Sequence, residues 1–330
     1  MTTPELQFAG DYWIGYFDAM ASRCEVLIDT RERELADHLT RLAQQEALRI
    51  QQKFSRYRDN NIIYRINNAN GKPVSVDDET AQMLDYAAQC YDLSDGLFDV
   101  TSGVLREAWN FDGSDRIPDA KQVKKLLTRI GWHKVKWQSP QISLPAGMQI
   151  DLGGIGKEYA VDRTVLLIRQ ATAVPCLVNY GGDIATTGPR HTVSSNTVSS
   201  NTDSSNAVSN SNVSINSGKG WLVGIEQPDI TPAPVAKPIK TTQPKIYELK
   251  HGAMATSGDS RRYLLKKGKR YSHILNPLTG WPVTDAPRSV TVITDTCTEA
   301  GILATLAMLH GAGAEAFLEQ QGVIYWCVRA

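Results

Sequence analysis

No stretch of this 330-residue chain is apolar for the ~20 residues a membrane-spanning helix needs; its best candidate, residues 300–309, stops far short and carries Gly301 and Thr305. Cysteine is scarce. The five present (Cys24, Cys90, Cys176, Cys297 and Cys327) are odd in number, far apart and form no C-x-x-C pair, which argues against a zinc site or a disulfide framework and suits small buried apolar residues. Charge of one sign is missing as well. A formal net charge of zero leaves nothing global to steer the chain to nucleic acid or to an anionic membrane, so any phosphate recognition must be local. The first fifteen residues lack both a basic leader and an apolar segment before a cleavage site, which leads to the expectation of a cytoplasmic protein without a transmembrane segment.

What is present suffices for a large core: 42% apolar and 21% charged residues describe an ordinary globular chain. The periodicities predict an α+β fold, with mixed sheets and packed helices. Residues 22–29 alternate through Cys24, Val26 and Ile28 as a strand does, while residues 32–54 carry Leu35, Leu39, Leu42 and Leu48 at helical spacing. Further helices are predicted over 77–92, with an acidic first turn, over 120–130 and over 157–170. Short strands are predicted over 148–152, 175–180, 221–226, 289–293 and 323–328, and a hairpin turning at Lys267-Gly268, with His273 in its second strand. Thr296 and Glu299 form a capping box that opens a helix over 297–310, with Gly311 as its stop. Residues 191–217 are nearly all Ser, Asn, Thr and Val and read as a flexible excursion between strands; residues 228–244, rich in Pro, Lys and Thr, read as a second. No internal repeat is evident.

Glycine recurs beside charge in five segments: Asp99-Val100-Thr101-Ser102-Gly103, Asp151-Leu152-Gly153-Gly154-Ile155-Gly156-Lys157, Gly181-Gly182-Asp183, Ser257-Gly258-Asp259, and His273 through Gly280. A core needs side chains, so such segments point to backbone held close to a large polar ligand. The turn before Lys157 directs the positive end of a helix outward, with a full charge added, which suits a pyrophosphate. It matches neither standard nucleotide motif. Glu158 and Asp151 stand where a Walker loop needs Ser or Thr and Gly, and Tyr159 stands where a Rossmann fingerprint needs Gly. Ser257 lacks the G-x-S-x-G context of an acyl-enzyme nucleophile, and Tyr57, between Arg56 and Arg58, reads either as a ring stacker or as a cover for the core edge. Asp151, Asp183 and Asp259 each read singly as turn caps, and His273 as a structural residue.

Taken in order, Ala19-Met20-Ala21-Ser22, Phe54-Ser55-Arg56-Tyr57, Phe98 to Gly103, DLGGIGKEYAVD from Asp151, VNYGGDI from Val178, ATSGD from Ala255 and HILNPLTGWPV from His273 resemble the ApbE family. The resemblance runs from about Met20 to the carboxyl end, the two polar excursions apart. It implies one ApbE-like, T-fold-related flavin transferase domain over 1–330, with room for two lobes, a low-complexity insertion at about 190–219 and a Pro/Lys-rich loop at about 228–244. Proteins of this family bind FAD and, with Mg2+, transfer FMN to a Thr or Ser hydroxyl of a target flavoprotein, often a subunit of a membrane redox complex, releasing AMP; some hydrolyse FAD instead. By the same resemblance Met20, Tyr57, Leu97, Phe98, Asp99, Asp151, Lys157 and the backbone at Leu275 hold FAD, and the Gly154 carbonyl and Thr305 approach the metal. His273, Asp183 and Asp259 are the candidates to take the acceptor's proton.

Two departures from the family pattern stand out. The last helix usually carries an Asp one turn before its Thr, and here that position is Gly301, with Asp295 and Glu299 as nearby substitutes. Glu158 replaces a residue that is usually small. From sequence alone, restoring an aspartate at 301 is expected to strengthen magnesium dependence. The alternatives to transfer are FAD hydrolysis and a flavin-binding protein without turnover.

Overall fold

Cys24, Val26 and Ile28 point inward along one strand of an eight-stranded sheet. Its strands are β1 (Glu5–Phe8), β2 (Trp13–Ala19), β3 (Ser22–Ile28), β4 (Cys176–Tyr180), β5 (Asp183–Thr186), β6 (Ala253–Gly258), β7 (Ser289–Thr294) and β8 (Ile324–Val328). They lie side by side in chain order, and every pairing is antiparallel. Sequential neighbours therefore pair, and the described insertions between them build on the faces of the sheet. The computed structural model describes residues 3–191, 218–225, 245–259 and 262–329. Most of the Ser/Asn excursion and all of the Pro/Lys-rich stretch lie outside the described residues.

The insertions carry seven α-helices among the described residues: α1 (Arg33–Phe54), α2 (Ile62–Asn67), α3 (Asp78–Leu93), α4 (Ala120–Leu127), α5 (Gly156–Ala171), α6 (Cys297–Leu309) and α7 (Ala314–Gln321). Helix α1 buries Leu39, Ala43, Ala47, Ile50 and Phe54, a stripe at helical spacing, against β2 and β3. Beside it α5 packs on β4 and β5, and α6 on β6 and β7, so the three helices form one layer over the sheet. Asp77 caps α3 by accepting from Thr80 N–H, and Thr296 caps α6 by accepting from Glu299 N–H, the latter as its capping box predicts. The opposite face of the sheet is covered by the ribbon Trp221–Ile225 with Lys245–Leu249, where Trp221, Val223 and Leu249 meet Leu177, Ile184 and Met254.

A third apolar cluster, centred on Trp109 and including Leu105, Leu126 and Leu264, joins residues 100–130 to the hairpin Tyr263–Lys266 with Lys269–Ser272. Trp109 Nε1 donates to the Gly280 carbonyl at 2.8 Å, which satisfies its polar edge inside that cluster. Two expectations need correction. Residues 148–152 form no strand: Ile150 exchanges hydrogen bonds with the Asn67 side chain (2.7 and 3.0 Å), and Asp151 N–H donates to the Val100 carbonyl at 2.8 Å. Side chain and loop there take the place of a ladder. His273 lies in a bend just past the second hairpin strand rather than within it.

Candidate active site

Helix α5 opens without a side-chain cap, since Ile155 occupies the N-cap position and contributes no hydrogen bond. The turn before it is held from within. Asp151 Oδ1 accepts from Gly153 N–H at 2.9 Å, and the Leu152 carbonyl accepts from Ile155 at 3.1 Å and Gly156 at 2.8 Å. Gly153 and Gly154 are exposed, so the positive end of the helix dipole is presented at an open corner. Phe98 forms one wall: a β-carbon at Gly154 would touch its ring at 3.4 Å.

In the first turn of α5, Lys157 Nζ lies 2.8 Å from Asp183 Oδ2, at the start of β5. Asp183 is buried, and that burial pushes its carboxyl up while Lys157 pulls it back. The β4–β5 turn passes close by with φ +64° at Gly181 and +102° at Gly182. A β-carbon at Gly181 would stand 2.7 Å from Ser22 Oγ and 3.7 Å from Lys157 Nζ, so this tight passage requires glycine. Ser22 follows the two-residue turn of the β2–β3 hairpin, where Met20 (φ +53°) and Ala21 (φ +57°) are both left-handed and Met20 N–H donates to Gln51 Oε1 at 2.6 Å.

Asp151 ties the corner to a second group. Arg106 Nη2 lies 2.9 Å and Arg56 Nη1 3.5 Å from its Oδ2, and Arg56 also donates to the Gly103 carbonyl at 2.9 Å. Tyr57 is 79% exposed, yet its ring is held: guanidinium carbons of Arg56 and Arg106 lie 5.8 and 5.7 Å from its centroid, and Arg106 donates to its hydroxyl. A fixed, flat, exposed ring suits stacking better than core cover. Asp99 is buried, accepting from Thr101 N–H (2.8 Å), Thr101 Oγ1 (2.6 Å) and Trp132 N–H (3.1 Å), and burial pushes its carboxyl up. It anchors the segment that carries Phe98 and the half-buried Leu97. Leu275 sits in the short ribbon Leu275–Asn276, packed on the Trp109 cluster.

The three proton-acceptor candidates are in different states. Both Asp259 oxygens are taken, by Arg270 Nε at 2.9 Å and Arg288 Nε at 2.7 Å. Asp183 is paired with Lys157. His273 Nδ1 lies 3.1 Å from the Arg262 carbonyl, and burial lowers its pKa below the usual histidine value. On α6, Thr305 Oγ1 lies 2.7 Å from Ser257 Oγ on β6. Gly301, one turn earlier, faces Glu158: a β-carbon there would stand 2.6 Å from Glu158 Cγ and 3.0 Å from its Oε1. Asp295 and Glu299 are exposed. Arg106 and Glu158 are the residues a motif search undervalues, the first because nothing marks it in sequence, the second because it reads only as a departure.

The ApbE family model matches residues 20–326, spanning the corner, the Phe98 wall and the α6 face. The chain belongs to the ApbE family. Relatives named FAD:protein FMN transferase include one from Treponema pallidum, 28% identical over 63% of this chain and 53% of that protein, and one from Vibrio cholerae, 27% identical over 79% and 70%. The chain thus matches about half the length of the Treponema protein. Among solved structures, an ApbE protein from Thermotoga maritima superposes with a TM-score of 0.77 at 25% identity, covering 96% of this chain and 94% of that one. The flavin transferase ApbE from Vibrio cholerae superposes at 0.75 with 22% identity, covering 98% and 93%, and shows the shared ApbE fold.

Proposed function

We propose that this chain is an FAD:protein FMN transferase, which moves FMN from FAD onto a Thr or Ser hydroxyl of a target flavoprotein and leaves AMP. The observation that carries this reading is the uncapped, glycine-lined start of α5, with Lys157 in its first turn and the fixed Tyr57 ring beside Asp151. The family names support it. In this reading the two phosphates lie against residues 153–157, the flavin or adenine ring stacks on Tyr57, and Met20, Leu97, Phe98 and the backbone at Leu275 line the remainder. Asp99 and Asp151 act by position, one anchoring the Phe98 segment and the other holding Arg56 and Arg106.

The acceptor oxygen attacks the phosphorus of the FMN half, the bond from that phosphorus to the bridging oxygen breaks, and AMP leaves with that oxygen. Lys157 and the helix start offset the charge that grows on the leaving phosphate. The acceptor's proton goes to His273. Its Nδ1–H donates to the Arg262 carbonyl in the tautomer that satisfies this bond, leaving Nε2 as acceptor, and burial, which lowers its pKa, favours the neutral ring. The residues present suit Mg2+, since the Thr305 hydroxyl, beside Ser257, and the Gly154 carbonyl are hard oxygens. When bound, the ion supplies charge neutralisation of the diphosphate.

The test is incubation with FAD, Mg2+ and a threonine-containing acceptor peptide, followed by mass spectrometry. A peptide that gains FMN, with AMP released, is the expected result. Free FMN and AMP regardless of acceptor would convert the reading to hydrolysis, and bound but intact FAD would remove turnover altogether.

A further inference from the structure

Two departures from the family pattern, the missing side chain at 301 and the added one at 158, meet in space. Helices α5 and α6 pack side by side, and Glu158 Cγ and Oε1 fill the volume next to the Gly301 Cα where a side chain would begin. Glu158 Oε2 is shut off from solvent and has no hydrogen-bond partner. A carboxylate oxygen in that state is costly unless a proton or a cation meets it.

The neighbouring groups are committed elsewhere. Lys157 lies 2.8 Å from Asp183. Asp162, the other acid nearby, accepts from Cys297 N–H (2.7 Å), Thr298 N–H (2.9 Å) and Thr298 Oγ1 (2.6 Å) at the start of α6. One lysine therefore serves two acids, the buried Asp183 and the neighbouring Glu158, and it lies against the first.

We propose that Glu158 supplies, from α5, the anionic oxygen of a hard divalent-cation site whose neutral oxygens come from Thr305 and the Gly154 carbonyl, in place of any side chain at 301. Thr305 lies one turn beyond Gly301 on the same face of α6, the face that Glu158 covers. Among the described residues no three His, Cys, Asp or Glu side chains converge, so a cation here would draw on few protein carboxylates and leave other positions to water and substrate phosphate, as Mg2+ sites commonly do. The inference rests on the proposed function only in treating that phosphate as part of FAD.

The experiment is an electron paramagnetic resonance titration of Mn2+ into the 330-residue chain with FAD present, with FAD binding followed on the same samples by flavin fluorescence. Glu158→Gln keeps the shape and is expected to weaken Mn2+ by about tenfold or more, with FAD still bound. The double variant Glu158→Gly/Gly301→Asp is expected to recover most of that loss. Unchanged Mn2+ affinity in Glu158→Gln overturns the proposal, as does a double variant that melts like the parent yet binds Mn2+ no better than Glu158→Gln. Failure of the parent to bind FAD would instead strike the functional reading, so the two failures are distinguishable.

Discussion

Lys157 Nζ stands 2.8 Å from Asp183 Oδ2, joining the first turn of α5 to the start of β5 at the open corner. The pair fixes the lysine at the corner to which the proposed function assigns the phosphates. Lys157→Ala is expected to weaken FAD binding by tenfold or more, about 1.4 kcal/mol, and to leave Asp183 buried without its partner. Fluorescence titration checks the affinity. An unchanged dissociation constant would remove the phosphates from this corner.

Tyr57 separates binding from stability. Because the ring is 79% exposed, Tyr57→Ala should shift unfolding free energy by less than about 0.5 kcal/mol. Loss of a stacking platform should weaken FAD by about 1–3 kcal/mol, with Tyr57→Phe close to the parent. Equal affinity in Tyr57→Ala would assign the ring to the surface alone.

Gly301 and Glu158 should behave as one unit in stability as well. A β-carbon at 301 meets Glu158 Cγ at 2.6 Å, so Gly301→Ala is expected to destabilise the parent by about 1–3 kcal/mol. In a Glu158→Gly background the cost should fall. A double-mutant cycle by chemical denaturation measures the coupling, and additivity would mean that the helices simply move apart. The same contact revises the expectation from sequence that Gly301→Asp alone strengthens magnesium dependence: the volume is already filled.

Acid sensitivity should come in part from Glu79, on α3. Arg49, with burial opposing and Lys53 and Tyr159 assisting, holds its carboxyl down at about 2, against an ordinary 4.5. The folded value lies below the unfolded one, so this contribution is complete above pH ~4.5 and lost as pH falls toward ~2. Glu79→Gln should flatten the dependence of stability on pH in that window. Denaturation curves at several acidic pH values would show it, and an unchanged slope would assign acid sensitivity elsewhere.

Local signals carried much of the fold. The alternation of Cys24, Val26 and Ile28, the acidic start of α3, the cap Thr296 and the Gly-Lys turn at α5 each act over a few residues, so period and capping chemistry are enough to place them. Strand β6 escaped the same reading because Ala253, Ala255, Ser257 and Gly258 have weak strand preference; it is a strand because β5 and β7 flank it. Residues 148–152 failed in the opposite way, with a strand-like pattern satisfied by Asn67 and Val100.

The sequence by itself determined that a glycine-rich, charge-flanked corner opens a helix at Lys157, and the order of its motifs placed the chain in the ApbE family. Tertiary structure alone decided that Asp259 is locked by Arg270 and Arg288, that Arg106 holds both Asp151 and Tyr57, and that Glu158 fills the room left at Gly301. Spacing along the chain reports which groups share a turn or a face. It carries no information on which distant charge will arrive to neutralise them, because that pairing is set by the packing of helices and strands on the sheet.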